Sequence, residues 1–146
     1  MNLSIAAVCM LLASGCGQPS PGDLHQAAHS LVPQGATVLL EKDGGCVEGA
    51  RFPSCVEVFF RVEHRTLGER LDLFIANAEQ HGWKAELGRT VGGEVVVNLS
   101  KGSYWGTAGF WLDRYYRPRR HCDPVSTMRA CAESFQVEWK GGIIRA

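Results

Sequence analysis

The sequence predicts an α+β domain: a mostly antiparallel sheet with one principal helix packed on one face, a short N-terminal helix and two disulfides. Three features carry that expectation. Residues 56–63, VEVFFRVE, alternate apolar and polar side chains at the two-residue period of a half-buried strand. Leu67, Leu71, Phe74, Ile75 and Ala78 recur at helical spacing behind a capping-box pattern, Thr66-Leu67-Gly68-Glu69. Beyond Gly82, short apolar segments are separated by the turn signals Gly92-Gly93 and Lys101-Gly102, and short turns favour antiparallel neighbours.

In chain order, Asp23 is placed to cap a short helix in which Leu24, Ala27, Ala28 and Leu31 fall on one face, until Pro33 and Gly35 break it. Residues 36–41, ATVLLE, predict a strand. In residues 56–63, Val56, Val58, Phe60 and Val62 form a buried face, with Glu57, Arg61 and Glu63 facing water. The helix over 66–81 ends where Gly82 supplies a stop. Strands are then expected over 83–87, 94–99 and 104–112 and from about 135 to 140. The order is α-β-β-α-β-β-β-β.

The chain begins differently from the rest. Residues 3–12 are apolar or small and uncharged, too short a run to span a hydrocarbon core roughly 30 Å thick, and they match the apolar region of an export signal. Ala13, Ser14 and Gly15 supply small side chains, and Cys16 follows at once. This segment, LLASGC, resembles the lipobox of small bacterial membrane lipoproteins, many of which carry a domain of no assigned activity. The resemblance implies lipid attachment at Cys16, cleavage after Gly15, and residence at the extracytoplasmic face of a cell membrane. Ordinary secretion is the alternative, because Ala13-Ser14-Gly15 also resembles a simple cleavage site. The division expected is a signal peptide over 1–15, a tether over 16–22 rich in Gly, Pro and Ser, and a single domain over 23–146.

Of six cysteines, Cys9 lies in the signal and Cys16 at the cut, which leaves Cys46, Cys55, Cys122 and Cys131. An even number suits disulfides in an oxidising compartment. Each pair is separated by eight residues, in CVEGARFPSC and CDPVSTMRAC. Local pairing, Cys46 with Cys55 and Cys122 with Cys131, is the simplest of the three connectivities. Each bridge would close a loop worth roughly 2–3 kcal/mol in the chain-entropy model.

Fifteen basic residues balance fifteen acidic ones, so no global field draws the chain to nucleic acid. His25 and His29 stand four apart on the first predicted helix, where both rings could face one metal ion. No third ligand lies nearby in sequence, although Asp23 could approach; the pair reads as a polar face, and neither metal nor cofactor is assigned. His64, His81 and His121 are each isolated. No G-x-S-x-G, H-E-x-x-H, S-x-x-K or C-x-x-C pattern and no phosphate-cradling Gly loop occurs, so no catalytic residue is assigned.

The surface with most character is RYYRPRRH over 114–121. Arg114, Tyr115, Tyr116, Arg117, Arg119 and Arg120 offer guanidinium groups beside aromatic rings, suited to stacking and to bidentate capture of carboxylate or phosphate. An anionic envelope polymer, a lipid head group or an acidic protein would fit such a loop. Solvated arginines beside rings that cover a core edge are the structural alternative. The function expected is that of an exported, lipid-anchored envelope protein, a non-catalytic binding or accessory module held to the membrane through Cys16. A small secreted or anchored enzyme and a structural subunit of an envelope complex are the alternatives.

Overall fold

A computed structural model of the chain describes residues 21–43, 55–63, 65–116 and 132–139. The signal segment, Cys16, Cys46, His64, Arg117, Arg119, Arg120, His121, Cys122 and Cys131 lie outside the described residues.

The helix α1 spans Pro21–His29, beginning two residues before Asp23, so that Asp23 sits inside its first turn rather than at its cap. Proline is suited to a first helical turn, where its missing N–H has no intrahelical partner to lose, and an acidic side chain there complements the helix dipole. The last residues assigned to a tether are thus helical. Strands β1 (Thr37–Asp43) and β2 (Cys55–Arg61) follow, then α2 (Leu67–Gln80), β3 (Lys84–Val91), β4 (Glu94–Lys101), β5 (Tyr104–Trp111) and β6 (Glu133–Trp139). The element order is the one the sequence predicts.

The α2 N-terminus carries the capping box in full. Glu69 N–H donates to Thr66 Oγ1 at 3.3 Å, and Thr66 N–H donates to Glu69 Oε2 at 2.7 Å. Asp113, just past β5, adds an acceptor for the Leu67 N–H at 2.9 Å and places an anion at the positive end of the helix.

The six strands form one sheet in the order β1-β2-β6-β5-β4-β3, with every neighbouring pair antiparallel. Strands β3, β4 and β5 run as a meander whose tight turns use Gly92 and Gly93, then Gly102, all at positive φ. The last strand, β6, does not extend that meander. It inserts between β2 and β5, joining the two halves of the sheet.

Both helices pack on one face. Val56, Val58 and Phe60 of β2, Phe135 and Val137 of β6, Ala108 and Phe110 of β5, and Val97 and Leu99 of β4 meet Leu24, Ala28 and Leu31 from the α1 side and Phe74 and Ala78 of α2. Phe60, Phe74, Phe110 and Phe135 form an aromatic cluster with ring centroids 5.1–6.0 Å apart. The two helices are tied together by Ser30: its carbonyl accepts from Asn77 Nδ2 at 3.0 Å, and its hydroxyl accepts from the Trp83 indole N–H at 2.9 Å.

The opposite sheet face is less uniformly wet than β2 alternation predicts. Cys55 and Phe59 point that way and are buried. Gly106 on β5 keeps β6 close: a Cβ there would run into the Gln136 carbonyl oxygen.

Candidate functional site

Chemistry-bearing side chains gather in three places. The first lies between α1 and the sheet edge. On β1, Glu41 and Asp43 are two apart and therefore share a face, the one on which α1 packs, while Lys42 turns to the other face above the Phe59 ring. On α1, Leu24 and Ala28 turn inward, which leaves His25 and His29 aimed along the edge toward β1.

There Glu41 meets both histidines: Oε1 contacts His25 Nδ1, and Oε2 lies 2.7 Å from His29 Nε2. Asp43 Oδ1 lies 2.8 Å from His25 Nε2. The His25 ring is thus bracketed by carboxylates on both nitrogens. Partial burial disfavours its charged form, but the hydrogen bond to Glu41 and the charges of Asp43 and Glu41 outweigh that, so His25 holds its proton above the usual histidine range. Sequence spacing picked out the two histidines. It missed Glu41, twelve residues beyond His29, because only the packing of helix on strand brings it there.

The second place is the buried polar centre of the sheet end. Arg70 and Glu133 are 1 % and 0 % exposed. Arg70 Nε–H donates to Glu133 Oε1 at 2.8 Å, and Nη1–H donates to Asp113 Oδ1 and to the Arg65 carbonyl, at 2.9 and 2.8 Å. The second Glu133 oxygen accepts the Trp111 backbone N–H at 3.0 Å. The Tyr116 ring stacks beneath the guanidinium, 4.0 Å from centroid to Cζ. Burial pushes the Glu133 carboxyl up to about 8, although Arg70 and the Trp111 N–H pull the other way. No sequence pattern marked Arg70, because it occupies the α2 stripe one turn before Phe74 and Ala78, where periodicity calls for an apolar residue.

The third is the part of the Arg/aromatic loop within the described residues. Arg114 lies over the Tyr115 ring at 4.9 Å, Tyr115 is 47 % exposed, and its ring meets Trp111 edge to face at 6.5 Å. These groups adjoin a shallow groove of about 280 Å³ on the helix-free sheet face, lined by Trp111, Glu57, Glu94, Thr107, Ser134 and Gln136 among others.

Tyr116 is different. It is buried, and its hydroxyl accepts the Val62 N–H at 3.2 Å and donates to the Val62 carbonyl at 3.1 Å. Val62 lies just past the end of β2, so the tyrosine supplies the partner that its backbone would otherwise lack. Tyr116 therefore belongs to the fold rather than to the exposed surface with which its sequence neighbours group it.

No family model, no curated protein and no solved structure matches the chain. Among the described residues, no helix is long and apolar enough to cross a membrane.

Proposed function

We propose that the chain is an exported protein held by lipid on Cys16 to the extracytoplasmic face of a bacterial membrane, where its domain acts as a non-catalytic binding or accessory module. The observation that carries this reading is Cys16 itself, set directly after Ala13-Ser14-Gly15 at the end of an uncharged apolar run. A disulfide at Cys55, expected from the cysteine spacing, fits this reading, since such bonds persist in oxidising compartments. Cysteine arithmetic supports it further. Lipidating Cys16 leaves Cys46, Cys55, Cys122 and Cys131 to pair locally as two disulfides, whereas simple secretion leaves an odd thiol near the N-terminus.

The binding surface in this reading is the end of the sheet where Arg114, Tyr115 and Trp111 meet, together with Arg117, Arg119 and Arg120, which follow in sequence outside the described residues. Stacked guanidinium and aromatic groups suit an anionic envelope polymer or an acidic protein partner, to which arginine offers paired N–H donors.

Intact mass of the mature N-terminus, from protein expressed in a bacterial host, tests the anchor. The expected species begins at Cys16, carries acyl groups and partitions with membranes, while the Cys16→Ser chain carries none. A mature chain with unmodified Cys16, or one that starts elsewhere, overturns the anchor. Peptide mapping without reductant tests the pairing, and a bridge between either of Cys46 and Cys55 and either of Cys122 and Cys131 refutes the local arrangement.

A further inference from the structure

We infer that His25, His29 and Glu41 form a binding site for a single divalent transition-metal ion, Zn²⁺ in first place, with Asp43 positioning the His25 ring. This assignment does not depend on the lipid anchor or on the Arg/aromatic surface. It rests on convergence. One ligand atom from each of the three residues lies within 4.8 Å of the others. The His pair comes from one face of α1 and the carboxylate from β1, so the ligands are set by two elements rather than by one flexible loop.

The donor set indicates the ion. Two imidazole nitrogens and a carboxylate oxygen suit Zn²⁺ and its first-row neighbours, whereas Ca²⁺ and Mg²⁺ take oxygen ligands and Cu⁺ favours sulfur. Tetrahedral Zn²⁺, with bonds of about 2.0–2.1 Å, needs ligand atoms roughly 3.4 Å apart. Glu41 Oε2 and His29 Nε2 now stand 2.7 Å apart, so an ion between them asks for a retreat of less than an ångström by an exposed side chain.

The position of Asp43 is the more specific feature. Its Oδ1 lies 2.8 Å from His25 Nε2, the ring nitrogen that does not contact Glu41. A metal-binding histidine commonly donates its other ring N–H to a carboxylate, which fixes the tautomer and aims the free lone pair at the ion. When an ion displaces the proton between His25 Nδ1 and Glu41, Asp43 stands where it can hold Nε2–H, and the Nδ1 lone pair then faces the ion. A surface ion-pair cluster, with protonated His25 between Glu41 and Asp43, is the rival description of the same four residues, and metal titration separates the two. The site stands at the sheet edge with the His29 side chain 53 % exposed, so ions reach it from solvent and a fourth position is open to water or to a ligand atom.

The test is calorimetric titration of ZnCl₂ into the full chain, with His29→Ala, Glu41→Gln, Asp43→Asn and, as a control outside the cluster, His81→Ala. Wild type is expected to take up one Zn²⁺ per chain, saturably and at micromolar concentration. His29→Ala and Glu41→Gln should each weaken uptake by more than about tenfold, and Asp43→Asn by about 10–100-fold. His81→Ala should leave it unchanged. Co²⁺ titration gives a second readout, since visible absorption bands of a bound ion should vanish in His29→Ala. Circular dichroism checks the fold of each variant, and the exposed His29 makes its alanine variant the safest. Absence of saturable uptake by wild type overturns the site and leaves an ion-pair cluster. Uptake unchanged in both His29→Ala and Glu41→Gln overturns it equally, by placing the ion elsewhere.

Discussion

Arg70 on α2 and Glu133 at the start of β6 are hydrogen-bonded at 2.8 Å where neither side chain reaches water. The pair is 63 residues apart in sequence and locks the principal helix to the strand that joins the two halves of the sheet. Arg70 also reaches Asp113 at the rim, so one guanidinium spans α2, β6 and the segment after β5. Removing one member of such a network strands the others, and leaving a buried polar partner unsatisfied typically costs about 1–3 kcal/mol. Arg70→Met is therefore expected to lower unfolding free energy by about that amount in urea titration at neutral pH. Arg70→Met with Glu133→Leu should cost less than Arg70→Met alone, because replacing both partners leaves no orphaned polar group.

The same pair sets a pH dependence. Glu133 moves from a usual value near 4.5 to about 8 in the folded chain, driven by burial. The folded state therefore holds a proton that the unfolded chain has released. Linkage then makes the contribution of Glu133 to stability full below about pH 4.5 and progressively lost as pH rises toward 8. Urea midpoints measured across that window should fall with rising pH, and Glu133→Gln, which is neutral throughout, should flatten the slope. A wild-type midpoint that rises through the window would reverse the sign and exclude a buried, protonated Glu133.

Neighbouring tyrosines are expected to separate fold from surface. Tyr116→Phe deletes the hydroxyl that serves both polar groups of Val62 and should cost about 1–3 kcal/mol, the usual penalty for leaving buried backbone unsatisfied. Tyr115→Ser removes an exposed ring stacked under Arg114 and should cost about 1 kcal/mol or less. Thermal unfolding of the two variants side by side checks the ranking, and equal losses would remove the distinction.

Retention on anionic-lipid or cell-wall preparations should weaken when Arg117, Arg119 and Arg120 are replaced with Ser, and weaken further when Arg114→Ser is added. The thermal midpoint should stay nearly constant, since this reading keeps these charges in solvent, where an ion pair is worth about 0–1 kcal/mol to folding. Retention should fade with salt, because screening acts over about 10 Å at 0.1 M. Non-lipidated Cys16→Ser protein is the material of choice, as acyl chains mask a weak contact. Equal retention of wild type and variants at low salt would leave solvated arginines as the better description.

The metal-site candidate was half legible. The spacing of His25 and His29 follows from helix periodicity, and both rings do share a face. Glu41 and Asp43 were readable only as polar residues in and just after a predicted strand, since nothing local tells which strand lies beside which helix face. Arg70 was hidden for a related reason: within its stripe a charged side chain reads as an interruption until its partners from distant segments are in place.

Neighbouring residues settle the local conformations among themselves. The period of Val56, Val58 and Phe60 makes β2 a strand with one apolar face, Thr66 and Glu69 close the α2 N-terminus upon each other, and Gly92-Gly93 turns β3 back as β4. Packing across the whole chain sets which distant pieces meet: β6 between β2 and β5, Glu133 against Arg70, Tyr116 under Val62, and Glu41 between two histidines. The physical reason is that periodicity, capping and turns depend on groups a few residues apart. Strand order and buried polar pairing depend instead on the free energy of the whole packed arrangement, and no short stretch of chain holds that information.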